Sequence, residues 1–396
     1  MRAALTRIAA IGLITTGMGL GVRPVPAASK NGPALAPEVL APIADIVHQE
    51  IASGHIPGAV VLVGQEHEIL YRHAFGLRAT RPQAVPMTID TIFDLASLTK
   101  VVATTTAVMQ LVERGKLALD APASTYWPRF AAGGKQKITI RDLLTHYSGL
   151  RPDLDLRRRW FGYRTAMNML VADRPLYPPG TQYLYSDENF EVLGELVRRV
   201  SRMALNQYCD ENIFKPLGMT DTRFRLLRGQ TDRIAPTASP ASGHVSTTVH
   251  DPTAHRMGGV AGHAGLFSTA DDLAIFATML LDGGTSGGLQ VLNRQSIALM
   301  TQPESPAAGA RVRGLGWDVA APFAASRDEL FPRGSYGHTG FTGTMIWIDS
   351  VSHSYVIVLS NRTYPDGRGD AQPLRDAILA LISASVAPLT PTGGAH

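Results

Sequence analysis

The sequence predicts a mixed α/β (α+β) protein whose antiparallel sheet is built from strands near both ends of the chain, with a helical lobe between them. Three observations carry this. β-type runs occur early and again late, the middle third has helical periodicity, and Pro and Gly breaks separate the segments.

Residues Pro37 to Ser53 have the apolar spacing of a helix. GAVVLVGQ (Gly58 to Gln65) and EILYRHAFG (Glu68 to Gly76) are β-rich runs parted by a short polar turn, which predicts a hairpin. The pattern SLTKVVATTTAVMQLVERG, from Ser97 to Gly115, is a helix with no polar face and is therefore buried. Further helices are expected at Ile140 to His146, Gly162 to Asp173, Asp187 to Arg202 and Ala204 to Phe214. Ser268 to Asp271 reads as a capping signal before LAIFATMLL, and Asn293 to Met300 as another helix. GLGWDVA, GSYGHTG, FTGTMIWID and HSYVIVLSN are short strands joined by tight turns, and Leu374 to Ser385 closes the chain as a helix. With no repeats and no clear linker, one catalytic unit over residues 37–390 is expected, with its helical lobe at about 97–300.

The N-terminus has a basic start (Arg2, Arg7), an apolar run from Ile8 to Val22 and small residues at Ala27 and Ala28, the layout of a cleavable secretory leader over residues 1–28. The Gly-interrupted run is shorter than the roughly 20 residues a membrane span requires, so no stable span is expected after cleavage. A flexible segment, 29–36, follows. No Cys follows the apolar run to carry a lipid. Removing Arg2, Arg7 and Arg23 takes the net charge from +4 to near +1, which speaks against nucleic acid as a partner. Arg157 to Arg159, before Trp160, reads as a solvated helix face. The lone Cys209 excludes an internal disulfide and reads as a buried residue on a helix.

The chemistry begins at Phe93-Asp94-Leu95-Ala96-Ser97-Leu98-Thr99-Lys100, where Ser97 and Lys100 stand three apart at a helix start and share a face. A serine hydroxyl needs a base to take its proton, and a lysine can serve if burial in a dry cleft lowers its pKa. S-x-x-K alone also fits a capping Ser beside a snorkelling Lys. Its companions decide: Tyr185-Ser186-Asp187 and His338-Thr339-Gly340 follow in chain order. Together they resemble the S-x-x-K, Y-x-N or S-D-N, and K-T-G triple of the serine β-lactamase and penicillin-binding protein (DD-peptidase) superfamily. LLTHYSGL, KPLGMTDT and GGVAGHAGLFSTADDLA extend the resemblance over about residues 40–385, closest to the class C-like branch that holds DD-carboxypeptidases and carboxylesterases.

The resemblance implies a β-lactamase/transpeptidase-like fold, Ser97 as acylated nucleophile, Lys100 as proton acceptor and Tyr185 as a relay facing the leaving group. A phenol near pKa 10 acts as a base only when an ammonium depresses it, so Tyr185 and Lys100 should be coupled. The implied oxyanion hole is the backbone N–H groups of Ser97 and Phe341. Thr339, Gly340, Asp187 and His338 would contact the substrate, and His263 would line the cleft.

Two positions depart from the pattern. Asp187 replaces Asn, an amide that can donate, with a carboxylate that only accepts and can pair with Lys100. His338 replaces the Lys that ordinarily holds a substrate carboxylate, and an unperturbed imidazole is mostly neutral at pH 7. Arg362 would restore that charge if its strand neighbours His338. The histidines His244, His250, His255 and His263 match no helical zinc motif, so no metal and no cofactor is expected.

The expected function is an exported, periplasmic or secreted serine hydrolase acting on a small-molecule or peptide acyl substrate, such as a peptidoglycan stem peptide or a β-lactam. The leader favours a DD-carboxypeptidase and His338 a carboxylesterase. A true class C-like β-lactamase and a catalytically weakened binder of penicillin or peptidoglycan peptides are the alternatives.

Overall fold

The computed structural model describes residues 35–227, 229–238, 245–306, 312–319 and 334–386; the expected leader, residues 29–34 and His244 lie outside the described residues. Seven strands form an antiparallel sheet: β1 (Gly58–Gln65), β2 (Glu68–Ala79), β3 (Val85–Pro86), β4 (Asp318–Val319), β5 (Ser335–Thr339), β6 (Met345–Asp349) and β7 (Ser354–Ser360). Their order is β4-β5-β6-β7-β1-β2-β3, so the early hairpin joins the late strands where Ala59 to Gln65 pair with Ser360 to Ser354.

β1 shows why this sheet has a core on each side. Side chains alternate across a strand, and Val60 and Leu62 enter one core while Ala59, Val61 and Val63 enter the other. The second core is closed by α1 (Ile43–Ala52) and the C-terminal helix, through Ile43, Val47, Leu374, Ile378 and Ile382. The first is closed by the helical lobe: α2 (Thr106–Glu113), α3 (Ile140–Thr145), α4 (Tyr163–Ala172), α5 (Asp187–Ser201), α6 (Leu205–Cys209), α7 (Pro252–Arg256), α8 (Ala270–Leu281) and α9 (Arg294–Thr301). The C-terminal helix, α10, spans Gln372–Val386. Among the described residues no helix is long and apolar enough to cross a membrane.

Several expected elements are redrawn by local physics. The helix expected from Pro37 to Ser53 breaks into Pro37–Leu40 and α1 at Pro42, which has no N–H to continue the first turn. The helix expected from Ser97 opens into a π-helical turn over Lys100–Thr105 before α2, and α6 runs into another at Asp210–Phe214. The cap of α8 is Thr269, whose side chain accepts from the Asp272 amide; Ser268 instead bonds Thr222 from a short strand. Arg157 to Arg159 are exposed but lie in a turn, with the buried Trp160 held by its Nε1 on Asp155 O and by the Arg256 guanidinium over its ring. β6 begins only at Met345, because residues 340–344 form a tight turn, and GLGWDVA keeps just the two residues of β4. Cys209 is buried on α6, with its thiol toward Ala103 O.

Candidate active site

The segment before Ser97 is fixed by a buried carboxylate. Asp94 Oδ1 accepts from the Ala96 amide at 2.9 Å and Oδ2 from the His250 amide at 2.7 Å. Between them Ala96 takes φ 46°, a left-handed conformation that a non-glycine residue holds only where its surroundings impose it. Ser97 is thereby partly exposed while Ala96 and Leu98 are buried.

Lys100 is fully buried on the same helical face. Its Nζ donates to Ser97 Oγ at 3.0 Å and to the His263 carbonyl at 3.1 Å, and pairs with Asp187 Oδ1 at 2.7 Å. Tyr185 and Asp187 flank Ser186, which caps α5 by accepting from the Asn189 amide. Lys100 Nζ lies 5.0 Å from the centre of the Tyr185 ring, and Lys100 and Ser97 both act on the Tyr185 phenol. Four of the expected residues, Ser97, Lys100, Tyr185 and Asp187, thus meet at one point.

Their charges overturn one expectation. Burial by itself would lower the Lys100 ammonium, but the Asp187 carboxylate outweighs it and the net shift is upward. Tyr185 is likewise raised, because burial outweighs the pull of Lys100. The pair is coupled as expected, yet both members rest protonated: an ammonium and a neutral phenol.

Behind Lys100 lies a buried charged cluster. His263 Nε2 pairs with Asp251 Oδ1 at 2.9 Å and its Nδ1 lies 3.5 Å from Glu191 Oε1. Burial opposes charge on His263, but Asp251 and Asp187 push it up to about 10; Asp251, against its own burial, is held at about 2 by His263. Glu191 is pushed up to about 8 by burial, with His263 opposing. Donor atoms of Asp187, Asp251 and His263 lie within 4.8 Å of one another, so these are the described residues that could hold a metal. Lys100 and His263 already supply cations there. Of the other histidines, His255 is exposed and His250 stacks on Phe341. Gly262 sets the depth of the cluster: a Cβ there would stand 1.8 Å from Phe190 O, so only glycine lets this loop lie against α5.

The opposite wall is the end of β5. His338 is buried, its Nδ1 is 2.8 Å from Thr339 O, and its ring centre is 6.3 Å from that of Tyr185. Burial drives its pKa down to about 3, so the imidazole is neutral at pH 7. Thr339 is half-buried at the strand end. In the following turn Thr342 Oγ1 donates to Asp94 O at 2.6 Å and Thr344 Oγ1 to Leu95 O at 3.0 Å. A Cβ on Gly340 would stand 2.4 Å from Leu95 O, so this glycine permits the turn to press against the nucleophile segment. Among the described residues the Ser97 and Phe341 amides make no backbone hydrogen bond.

Arg362 does not neighbour His338 on the next strand, since β6 separates β5 from β7. Its Nε donates to Phe341 O at 2.6 Å and Nη1 to Gly369 O at 2.7 Å, with the guanidinium 4.2 Å from the Phe341 ring centre. Sequence reasoning assigned no role to His146, Asp251 or Glu191. His146 stacks on Tyr185 at 4.4 Å and accepts from the Ser186 amide at 3.1 Å. It stands inside LLTHYSGL, a stretch already marked by resemblance. Asp251 and Glu191 had no signal, because their partner His263 is distant in sequence.

Over 355 residues, 80% of this chain and 81% of the relative, the sequence is 33% identical to a protein of Escherichia coli (strain K12) provisionally named a D-alanyl-D-alanine carboxypeptidase. The fold is similar to a penicillin-binding protein homologue from Caulobacter crescentus, with TM-score 0.71 at 24% identity over 89% of this chain and 99% of that one. It is equally similar to EstCE1, a hydrolase with promiscuous acyltransferase activity, with TM-score 0.71 at 24% identity over 88% and 100% of the two chains. The Beta-lactamase family model matches residues 43–381, and the chain belongs to that family of hydrolases with a β-lactamase/transpeptidase-like fold.

Proposed function

We propose that the chain is an exported serine hydrolase that works through an acyl-enzyme on Ser97, of the carboxylesterase or DD-carboxypeptidase kind. The observation that carries this is a fully buried Lys100 Nζ, 3.0 Å from Ser97 Oγ and 2.7 Å from Asp187 Oδ1. As Ser97 Oγ bonds to the acyl carbon, its proton passes to Lys100, and Lys100 hands one of its own to Asp187. The ammonium charge persists, so no uncompensated charge forms in the buried site. The Ser97 and Phe341 amides hold the oxygen that turns anionic. Tyr185, a neutral phenol, protonates the leaving group and is refilled through Lys100 from Asp187. Water then attacks the acyl carbon, which releases the acid and restores the serine.

The neutral His338 and the partly committed Arg362 favour an uncharged ester over a substrate with a terminal carboxylate. The second reading, a DD-carboxypeptidase acting on a peptidoglycan stem peptide, is favoured by the name of the Escherichia coli relative. The leader read in residues 1–28 supports a periplasmic or secreted location for either.

The test is intact-mass spectrometry and turnover with a p-nitrophenyl ester and, separately, a labelled penicillin, each compared with Ser97→Ala. Ester turnover that vanishes in Ser97→Ala supports the hydrolase and excludes a mere binder. A long-lived penicillin adduct without ester turnover selects the DD-peptidase reading, and rapid penicillin hydrolysis a β-lactamase. Turnover that survives Ser97→Ala overturns the proposal.

A further inference from the structure

Phe341, whose amide is one of the two expected oxyanion donors, carries a large apolar side chain that is 60% exposed. Exposed aromatic residues on loops are ordinarily mobile, but this ring is held by two neighbours. The His250 ring stacks on it at 5.5 Å and 29°, and the Arg362 guanidinium lies 4.2 Å from its centre. Its backbone is clamped as well: Arg362 Nε donates to Phe341 O, the Arg362 amide donates to Thr342 O at 2.9 Å, and Arg375 Nη2 binds the carbonyls of Gly340 and Thr344. His250 is anchored in turn by its amide on Asp94, the residue that sets the Ser97 segment.

A ring fixed in this way beside the nucleophile offers a flat apolar surface whose ordering is complete before a ligand arrives. The same packing commits two of the five N–H donors of Arg362 to carbonyl oxygens and covers its face with the ring, so the guanidinium has fewer donors to offer a substrate carboxylate. We infer that Phe341, braced by His250 and Arg362, is a specificity-determining platform that binds a flat or apolar leaving group of a neutral ester and keeps Arg362 from receiving carboxylates. The inference rests on the serine hydrolase reading above.

The test compares kcat/KM for phenyl acetate, ethyl acetate and 4-acetoxybenzoate in the full chain, Phe341→Ala, Phe341→Tyr and Phe341→Ala/Arg362→Ala. Ratios between substrates cancel their intrinsic reactivities and any general loss of folded enzyme. In Phe341→Ala the phenyl-to-ethyl ratio should fall about tenfold, the scale of a lost aromatic contact together with its buried area. The 4-acetoxybenzoate-to-phenyl ratio should rise, as Arg362 is uncovered, and return in the double variant. Phe341→Tyr should keep both wild-type ratios. Equal losses on all three esters in Phe341→Ala would reduce Phe341 to its backbone role and overturn the inference. Esterase activity that survives Ser97→Ala would instead remove the reading beneath it.

Discussion

The two walls of the cleft both bury ionisable groups and leave them in opposite states. On the helical-lobe wall, Asp187 holds Lys100 charged against the pull of burial, and Asp251 and His263 hold each other charged. On the sheet wall, burial drives His338 neutral: the Asp318 carboxylate and the Thr339 carbonyl favour its charge, but Arg313 and Lys100 oppose it and the burial penalty is not met. Burial sets the penalty for charge, and the partner decides whether it is met. In the mechanism proposed above, this difference divides the work: protons move along the charged wall, and the neutral wall shapes the substrate.

The largest effect is expected where the charged wall meets the nucleophile. Asp187→Asn removes the carboxylate that receives the proton through Lys100, and turnover of a p-nitrophenyl ester should fall on the order of 10²-fold. Leaving a buried ammonium without its partner should also destabilise the fold by about 3 kcal/mol, read by urea unfolding. Undiminished turnover would mean that Lys100 is the terminal base and that Asp187 only holds its charge.

Glu191→Gln sharpens the comparison through pH. The native carboxyl keeps its proton up to about 8 while the unfolded chain releases it near the ordinary glutamate value of 4.5, so this residue makes wild-type stability fall as pH rises between those values. The glutamine lacks that slope. The variant should therefore gain stability relative to wild type on going from about pH 5 to about pH 8, measured by urea midpoints at both ends; a constant difference would mean that Glu191 is ionised throughout.

The smallest effect belongs to His338→Gln. A ring already neutral above about pH 3 contributes no limb to the rate profile at ordinary pH. The variant should keep the shape of the wild-type pH–rate curve and lose at most about tenfold in kcat/KM, the scale of one neutral hydrogen bond. A changed acid limb between pH 5 and 7 would show that the imidazole titrates in the working enzyme.

The hairpin, the late strands and most lobe helices were legible because each announces itself within a dozen residues, by alternation or by helical spacing. The limits of the helices were less so. Pro42 breaks its helix as a local rule requires, but the π-helical turn at Lys100–Thr105 and the shift of the α8 cap from Ser268 to Thr269 depend on what packs against them. In the site, Ser97, Lys100 and Tyr185 were found as short motifs, and Asp187 was foreseen as a partner of Lys100. Asp251, Glu191 and the stacking His146 were not, since side chains far apart in sequence become neighbours only after folding.

The residue types by themselves determined which chemistry was possible: a serine three before a lysine, a tyrosine, a carboxylate in place of an amide, and an imidazole in place of an ammonium. Only the tertiary structure decided their charges. Burial alone would take the proton from Lys100, but Asp187 lies 2.7 Å away and it stays; Arg362 could have served His338 only from a neighbouring strand, and it braces Phe341 instead. Sequence names the titratable groups, but a pKa is set by distances and dielectric surroundings that exist only once the chain has folded.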